Sequence, residues 1–182
     1  MITKKNRKHV WGFTLIETIV VMGVVALILP ALFGIIYSIL KQQVKLYKVT
    51  LVKRQGDYAM SIISSGIRTS ANEIFDSPGG TQLCSTTGSV GANLYFYDEQ
   101  GSWFRYYLAG STLRRQSSVS GISDITSNTV TVTAFSITCS RAATFSTPVV
   151  TIQYTVTANP ISNRTEDRAQ MVYQTRVKMR SY

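Results

Sequence analysis

Glu17 is the residue most in need of a chemical explanation. It lies five positions after Gly12, at the start of an apolar run, and from Thr18 to Leu40 there is no Lys, Arg, Asp, Glu or His. A carboxylate in such surroundings is costly unless a cation meets it, so an ionisable group at membrane depth reads as functional. The plainer alternative sets Glu17 at a lipid–water boundary, with its carboxylate reaching to water. Other candidates for chemistry are sparse. The acidic neighbours Asp98–Glu99 and Glu166–Asp167 fall in "DEQG" and "SNRTEDR", which read as solvated turns. Cys84 and Cys139 are too far apart for a zinc motif, and the only histidine is His9. There is no G-x-S-x-G and no glycine-rich phosphate loop. The reading is therefore no enzyme, with no catalytic residue, metal or cofactor.

The element that carries Glu17 is set by length. At about 1.5 Å per residue the uncharged run approaches the ~30 Å of a bilayer's hydrocarbon core. Lys4, Lys5, Arg7 and Lys8 precede it. Positive charge stays cytoplasmic, which predicts a single pass with the N-terminus inside. A secretory signal peptide also begins this way, but its apolar stretch is about 7–15 residues and ends at a small-x-small cleavage site. Here "IIYSILKQQ" offers bulky residues instead.

"GFTLIE" at Gly12–Glu17, behind a short basic leader and ahead of an uninterrupted apolar helix, resembles the processing site of type IV pilins and type II secretion pseudopilins. The resemblance implies cleavage between Gly12 and Phe13 by a prepilin peptidase, followed by N-methylation of Phe13. Glu17 becomes the fifth residue of the product. Its implied role is to neutralise the freed amine of a neighbouring subunit, which registers parallel helices, and to meet an inner-membrane assembly platform. Further on, "IISSGIRTSA", "YYLAGSTLRRQ", "VVTIQYTV" and "YQTRVKMR" are similar to J-type minor pseudopilins and W-type minor pilins. The implied partners are the peptidase, other pilins or pseudopilins, and the platform. The implied location is the cytoplasmic membrane before assembly and the periplasm or exterior afterwards.

Composition suits a secreted subunit. The 182-residue chain has a formal net charge of +10; the leader holds four of the 19 Lys and Arg, which leaves 15 against nine Asp and Glu, or +6. Ser, Thr, Asn and Gly dominate after residue 75, the texture of secreted β structure. In an oxidising exterior Cys84 and Cys139 suit one disulfide; the alternative is two small buried hydrophobes.

Past the membrane run the helical period continues. Leu40, Val44, Tyr47, Leu51, Tyr58 and Ile62 form an apolar stripe, with Lys41, Gln42, Lys45, Lys48, Lys53 and Asp57 directed elsewhere. Pro30 should kink or loosen the helix, and "SPGG" at Ser77–Gly80 should stop the helix, which then runs from about Phe13 to about Phe75. The remainder reads as strands. "NLYFY" and "SWFRYYL" flank the turn "DEQG", and "STLRRQ" follows "AG". Val150, Ile152, Tyr154 and Val156 alternate with polar residues, and a parity switch between Ala134 and Phe135 predicts a bulge. The expected fold is α+β: one antiparallel sheet packed over the amphipathic half of a long helix. The expected segments are 1–12 (cleaved leader), 13–40 (transmembrane and assembly helix), 41–76 (soluble half-helix) and 77–182 (β domain).

The function expected from the resemblance is that of a minor pilin or pseudopilin, which helps to initiate or cap a filament. The alternative is a filament-tip module that holds DNA or a surface. For DNA the candidate basic surface is Arg176, Lys178 and Arg180 on the last strand. Arg114, Arg115 and Arg105 add to it beside Tyr95, Tyr97, Trp103 and Tyr107, since cations among aromatics suit single-stranded nucleic acid. The plain reading of those cations is a solvated strand face.

Overall fold

The computed structural model describes residues 12, 14–91, 93–159 and 169–179. The chain divides after Gln43 into two units. One helix, α1 (Leu15–Ser70), runs through the division. It is unbroken at Pro30, where the missing N–H deprives only the Ala26 carbonyl of its partner.

In the first unit every described side chain is exposed, Leu15 and Leu27 at nearly four-fifths. The helix is long and apolar enough to cross a membrane, judged by length and composition. So much bare apolar surface demands cover by lipid or by protein.

In the second unit ten strands follow the helix among the described residues: β1 (Glu73–Phe75), β2 (Gln82–Leu83), β3 (Gly88–Gly91), β4 (Tyr95–Tyr97), β5 (Trp103–Ala109), β6 (Thr112–Ser117), β7 (Gly121–Asp124), β8 (Val130–Arg141), β9 (Val149–Ala158) and β10 (Gln170–Lys178). All pairings are antiparallel, so the α+β class holds. The expected single sheet does not. There are two, a six-stranded sheet in the order β2-β1-β4-β5-β6-β7 and a four-stranded sheet in the order β10-β9-β8-β3. The buried side of α1 explains the division. From Lys48 to Ile67 it extends about 28 Å at 1.5 Å per residue, and the sheets cover it in succession. The four-stranded sheet reaches Val52–Gly56 and the six-stranded sheet reaches Ile62–Gly66.

The helix ends earlier than expected, at Ser70 instead of near Phe75. Asn72 N–H already donates to the Tyr97 carbonyl, and Glu73–Phe75 pair with β4, so the sheet satisfies those backbone groups before "SPGG" is reached. The buried stripe is also rotated from the expected one. It comprises Lys48, Val52, Gly56, Ala59, Ile63 and Ile67, while Val44, Tyr47 and Tyr58 are exposed. Volume decides this. The sheets contribute large rings, so the helix must offer small and β-branched residues. Lys48, expected outside, is buried with its Nζ donating to the Asn159 carbonyl at 2.9 Å.

On β9, Val150, Ile152, Tyr154 and Val156 are buried and Gln153 is exposed, as the alternation predicts, but Thr155 on the opposite face is buried too, so the strand is solvated on that face only in part. The β8–β9 register shifts between Thr133 and Ser136, where Ala134 takes φ 52°; this is the bulge signalled by the parity switch.

Candidate functional site

The start of α1 is built by a cap. Thr14 Oγ1 accepts from Glu17 N–H at 3.4 Å, and the Thr14 carbonyl accepts the first helical bond from Thr18 N–H at 3.2 Å. Thr14 is thus the N-cap and Glu17 the third helical residue, the T-x-x-E spacing of a capping box. The T-x-x-E spacing is the sequence signal for this cap. Glu17 sits in the first turn, where the helix dipole favours a carboxylate. Gly12 is exposed and lies outside the helix, and among the described residues no atom comes within 4 Å of where a Cβ would stand. Phe13 and the basic leader Met1–Trp11 lie outside the described residues, as do Arg180 and Glu166–Asp167.

The structure divides the candidate basic surface. Arg176 and Lys178 are exposed on β10 of the four-stranded sheet. Arg114 and Arg115 are on β6 of the six-stranded sheet and point to opposite sides, as neighbours on a strand must. Arg114 is tied to Asp124 at 2.6 Å, and this carboxylate raises its pKa. Arg115 lies on the helix side with its guanidinium over the Phe104 ring at 5.1 Å. Its Nε is buried and has no partner among the described residues.

What the six-stranded sheet does assemble is an outer face of rings and planar polar groups. Strand register aligns Phe75, Tyr95, Arg105 and Gln116 in one row, Glu73, Tyr97 and Trp103 in a second, and Tyr107, Arg114 and Asp124 in a third. Arg105 is the hub. Its Nε donates to Gln116 Oε1 at 2.8 Å and its Nη1 to Tyr95 Oη at 2.7 Å. Its guanidinium lies 4.7 Å from the Tyr107 ring centroid and 5.1 Å from that of Tyr95. Phe75–Tyr97 and Tyr95–Trp103 meet edge-to-face at 4.8 and 5.3 Å. All five rings keep part of their surface in solvent.

Cys84 and Cys139 are bonded, linking the segment after β2 to the middle of the four-stranded sheet. Asp98 is a turn residue: its Oδ1 accepts from Gln100 and Ser102 N–H at 3.0 and 2.8 Å. Among the described residues no group of His, Cys, Asp and Glu is arranged to hold a metal ion.

No protein-family model, curated protein or solved structure matches this chain.

Proposed function

We propose that the chain is a minor pilin or pseudopilin, a structural subunit that helps to initiate or cap a pilus-like or secretion filament. The observation that carries this reading is the junction at Gly12–Glu17. An exposed, uncrowded glycine lies just before a capped helix, a carboxylate stands in its first turn, and the apolar side chains that follow are bare. A membrane peptidase needs an accessible bond outside regular structure, and Gly12 lies outside it. A filament needs an apolar helix that lipid covers first and neighbouring helices afterwards, and α1 offers that surface. The partners are then a prepilin peptidase, sister pilins or pseudopilins and an inner-membrane platform. The subunit begins as a single-pass membrane protein with its N-terminus in the cytoplasm and ends in the periplasm or exterior.

Intact-mass measurement of filament-associated protein tests the reading. Loss of Met1–Gly12 with one added methyl group on Phe13 is the expected result. Assembled protein that retains the leader would overturn it. The alternative of a DNA-holding tip module has less support, because its candidate cations are divided between two sheets and Arg114 is already paired.

A further inference from the structure

We propose that the outer face of the six-stranded sheet binds an uncharged glycan polymer, with Tyr95, Trp103, Arg105 and Tyr107 as its contacts. The inference stands on this face alone and does not depend on the filament reading.

Charge selects the occupant. The face carries Glu73 and Asp124 against Arg105 and Arg114, which sum to zero, on a chain that is otherwise strongly basic. A polyanion such as nucleic acid is held by cations that track its phosphates, and it gains little here. A sugar ring is uncharged, with C–H groups on its faces and hydroxyls around its rim. The negative faces of aromatic rings attract the C–H groups, and planar amide and guanidinium groups bond the hydroxyls. Among the described residues, Arg105 Nη2, the Gln116 amide nitrogen and the Trp103 indole nitrogen have no hydrogen-bond partner, so donors stand beside the rings.

Shape and rigidity agree. The rings lie on an antiparallel sheet surface, with Arg105 and Tyr107 also bordering a pocket shared with Phe135 and Ser136, and an extended surface of this kind suits a chain more than a small ligand. Arg105 is held by two hydrogen bonds and two rings, so little side-chain entropy remains to be lost on binding. The disulfide suits an oxidising compartment, the side of a membrane on which such polymers are met.

Co-sedimentation of the full-length protein in detergent with insoluble β-1,3-glucan, chitin and cellulose, all uncharged, tests the proposal. At least one polymer should retain the protein, with little change as salt is raised. Trp103→Ala and Tyr107→Ala should each weaken retention by about threefold to tenfold, the worth of one aromatic contact. Arg105→Lys should weaken it too, because charge is kept while the planar bonding is lost. Arg176→Ala, on the other sheet, should leave it unchanged. Thermal melts establish that each variant is folded; if Trp103→Ala is not, Tyr107→Ser and Arg105→Lys carry the test. Failure of all three polymers to retain the protein, or retention indifferent to folded variants of this face, would overturn the proposal. So would salt-sensitive capture of single-stranded DNA by the same residues, which would assign the face to nucleic acid.

Discussion

The Tyr154 hydroxyl donates a 2.8 Å hydrogen bond to the backbone carbonyl of Gly56, in the C-terminal third of α1. Both residues are buried, and Tyr154 has no exposed surface. The Tyr173 ring stacks on Tyr154 at 5.4 Å, and its hydroxyl donates to the Lys53 carbonyl at 3.2 Å. Tyr106 repeats the device from the other sheet, its hydroxyl directed at the Ile62 carbonyl and set against Gly66. Each sheet is thus docked on the helix by a tyrosine beside a glycine.

Gly56 is required for its lack of a side chain. A Cβ there would stand 2.2 Å from two Tyr173 ring atoms. Gly56→Ala gains helix propensity of up to about 1 kcal/mol but forces the stacked ring aside, at about 1–3 kcal/mol. We expect net destabilisation in chemical unfolding, and a smaller loss for Gly56→Ala when Tyr173→Ala is also present. Purely additive effects in that double-mutant cycle would show that the two residues are not coupled.

Burial also makes these tyrosines hard to ionise. It pushes Tyr106 up to about 12, with the Arg115 charge opposing the rise. Burial, then the neighbouring Tyr173 and Asp57, raise Tyr154 as well. Below about pH 10, the ordinary tyrosine value, both folded and unfolded states keep their protons and stability is unaffected. Above it the unfolded state loses protons that the folded state retains, so stability falls as pH rises from about 10 towards 12, by about 1.4 kcal/mol per pH unit for Tyr106. Unfolding curves at alkaline pH should show a falling slope, and Tyr106→Phe should reduce it by about that amount while the Tyr154 contribution remains. An unchanged slope would place the titration elsewhere.

The limits of the sequence follow from the same packing. The β4–β5 hairpin, the alternation on β9 and the bulge on β8 were legible because local parity and turn residues specify them. The buried side of the helix was not, because hydrophobicity alone favours Tyr47 and Tyr58 over Gly56 and Ala59. Only the rings arriving from β5, β9 and β10 make small residues the buried ones. The short strands β1–β3 carry no apolar alternation; β2 is held by its neighbour β1 and β3 by the distant β8, so the division of the strands between two sheets is not written in local pattern. At the N-terminus Gly12 and Glu17 were legible as a motif, whereas Thr14 was overlooked despite its capping-box spacing. The cations of the candidate surface could be placed on strands but not on sheets, because strand order is a long-range property.

The Cys84–Cys139 bond closes a loop with a sequence separation of 55. Constraint of the unfolded chain by a loop of that length is worth about 4 kcal/mol. Reduction, or replacement of both cysteines by serine, should lower the melting temperature substantially, and intact mass after alkylation should show no free thiol in the untreated protein. A melting temperature indifferent to reductant would show that the bond is absent from the folded protein.

The last prediction concerns Thr14 and Glu17, and it separates two roles that share one helical turn. Thr14 caps α1 through its own hydroxyl, so Thr14→Val should fray the first turn at a cost of about 1 kcal/mol. The Glu17 side chain is not needed for that bond, which uses its backbone N–H. Glu17→Val should therefore leave the helix capped and make it more apolar, so membrane insertion should not suffer. Cleavage after Gly12 should also survive, since Gly12 is five residues from Glu17 and outside the helix. If Glu17 neutralises a neighbour's freed amine, the Val variant leaves that amine buried and unpaired, at a cost of about 3–5 kcal/mol. Filament yield in the sheared fraction should then collapse while processed subunit accumulates in the membrane. Glu17→Asp should fall between, because the charge remains and the reach shortens. Equal yields for Val and Glu would refute the pairing and leave Glu17 as a carboxylate favoured only by the dipole of its own helix.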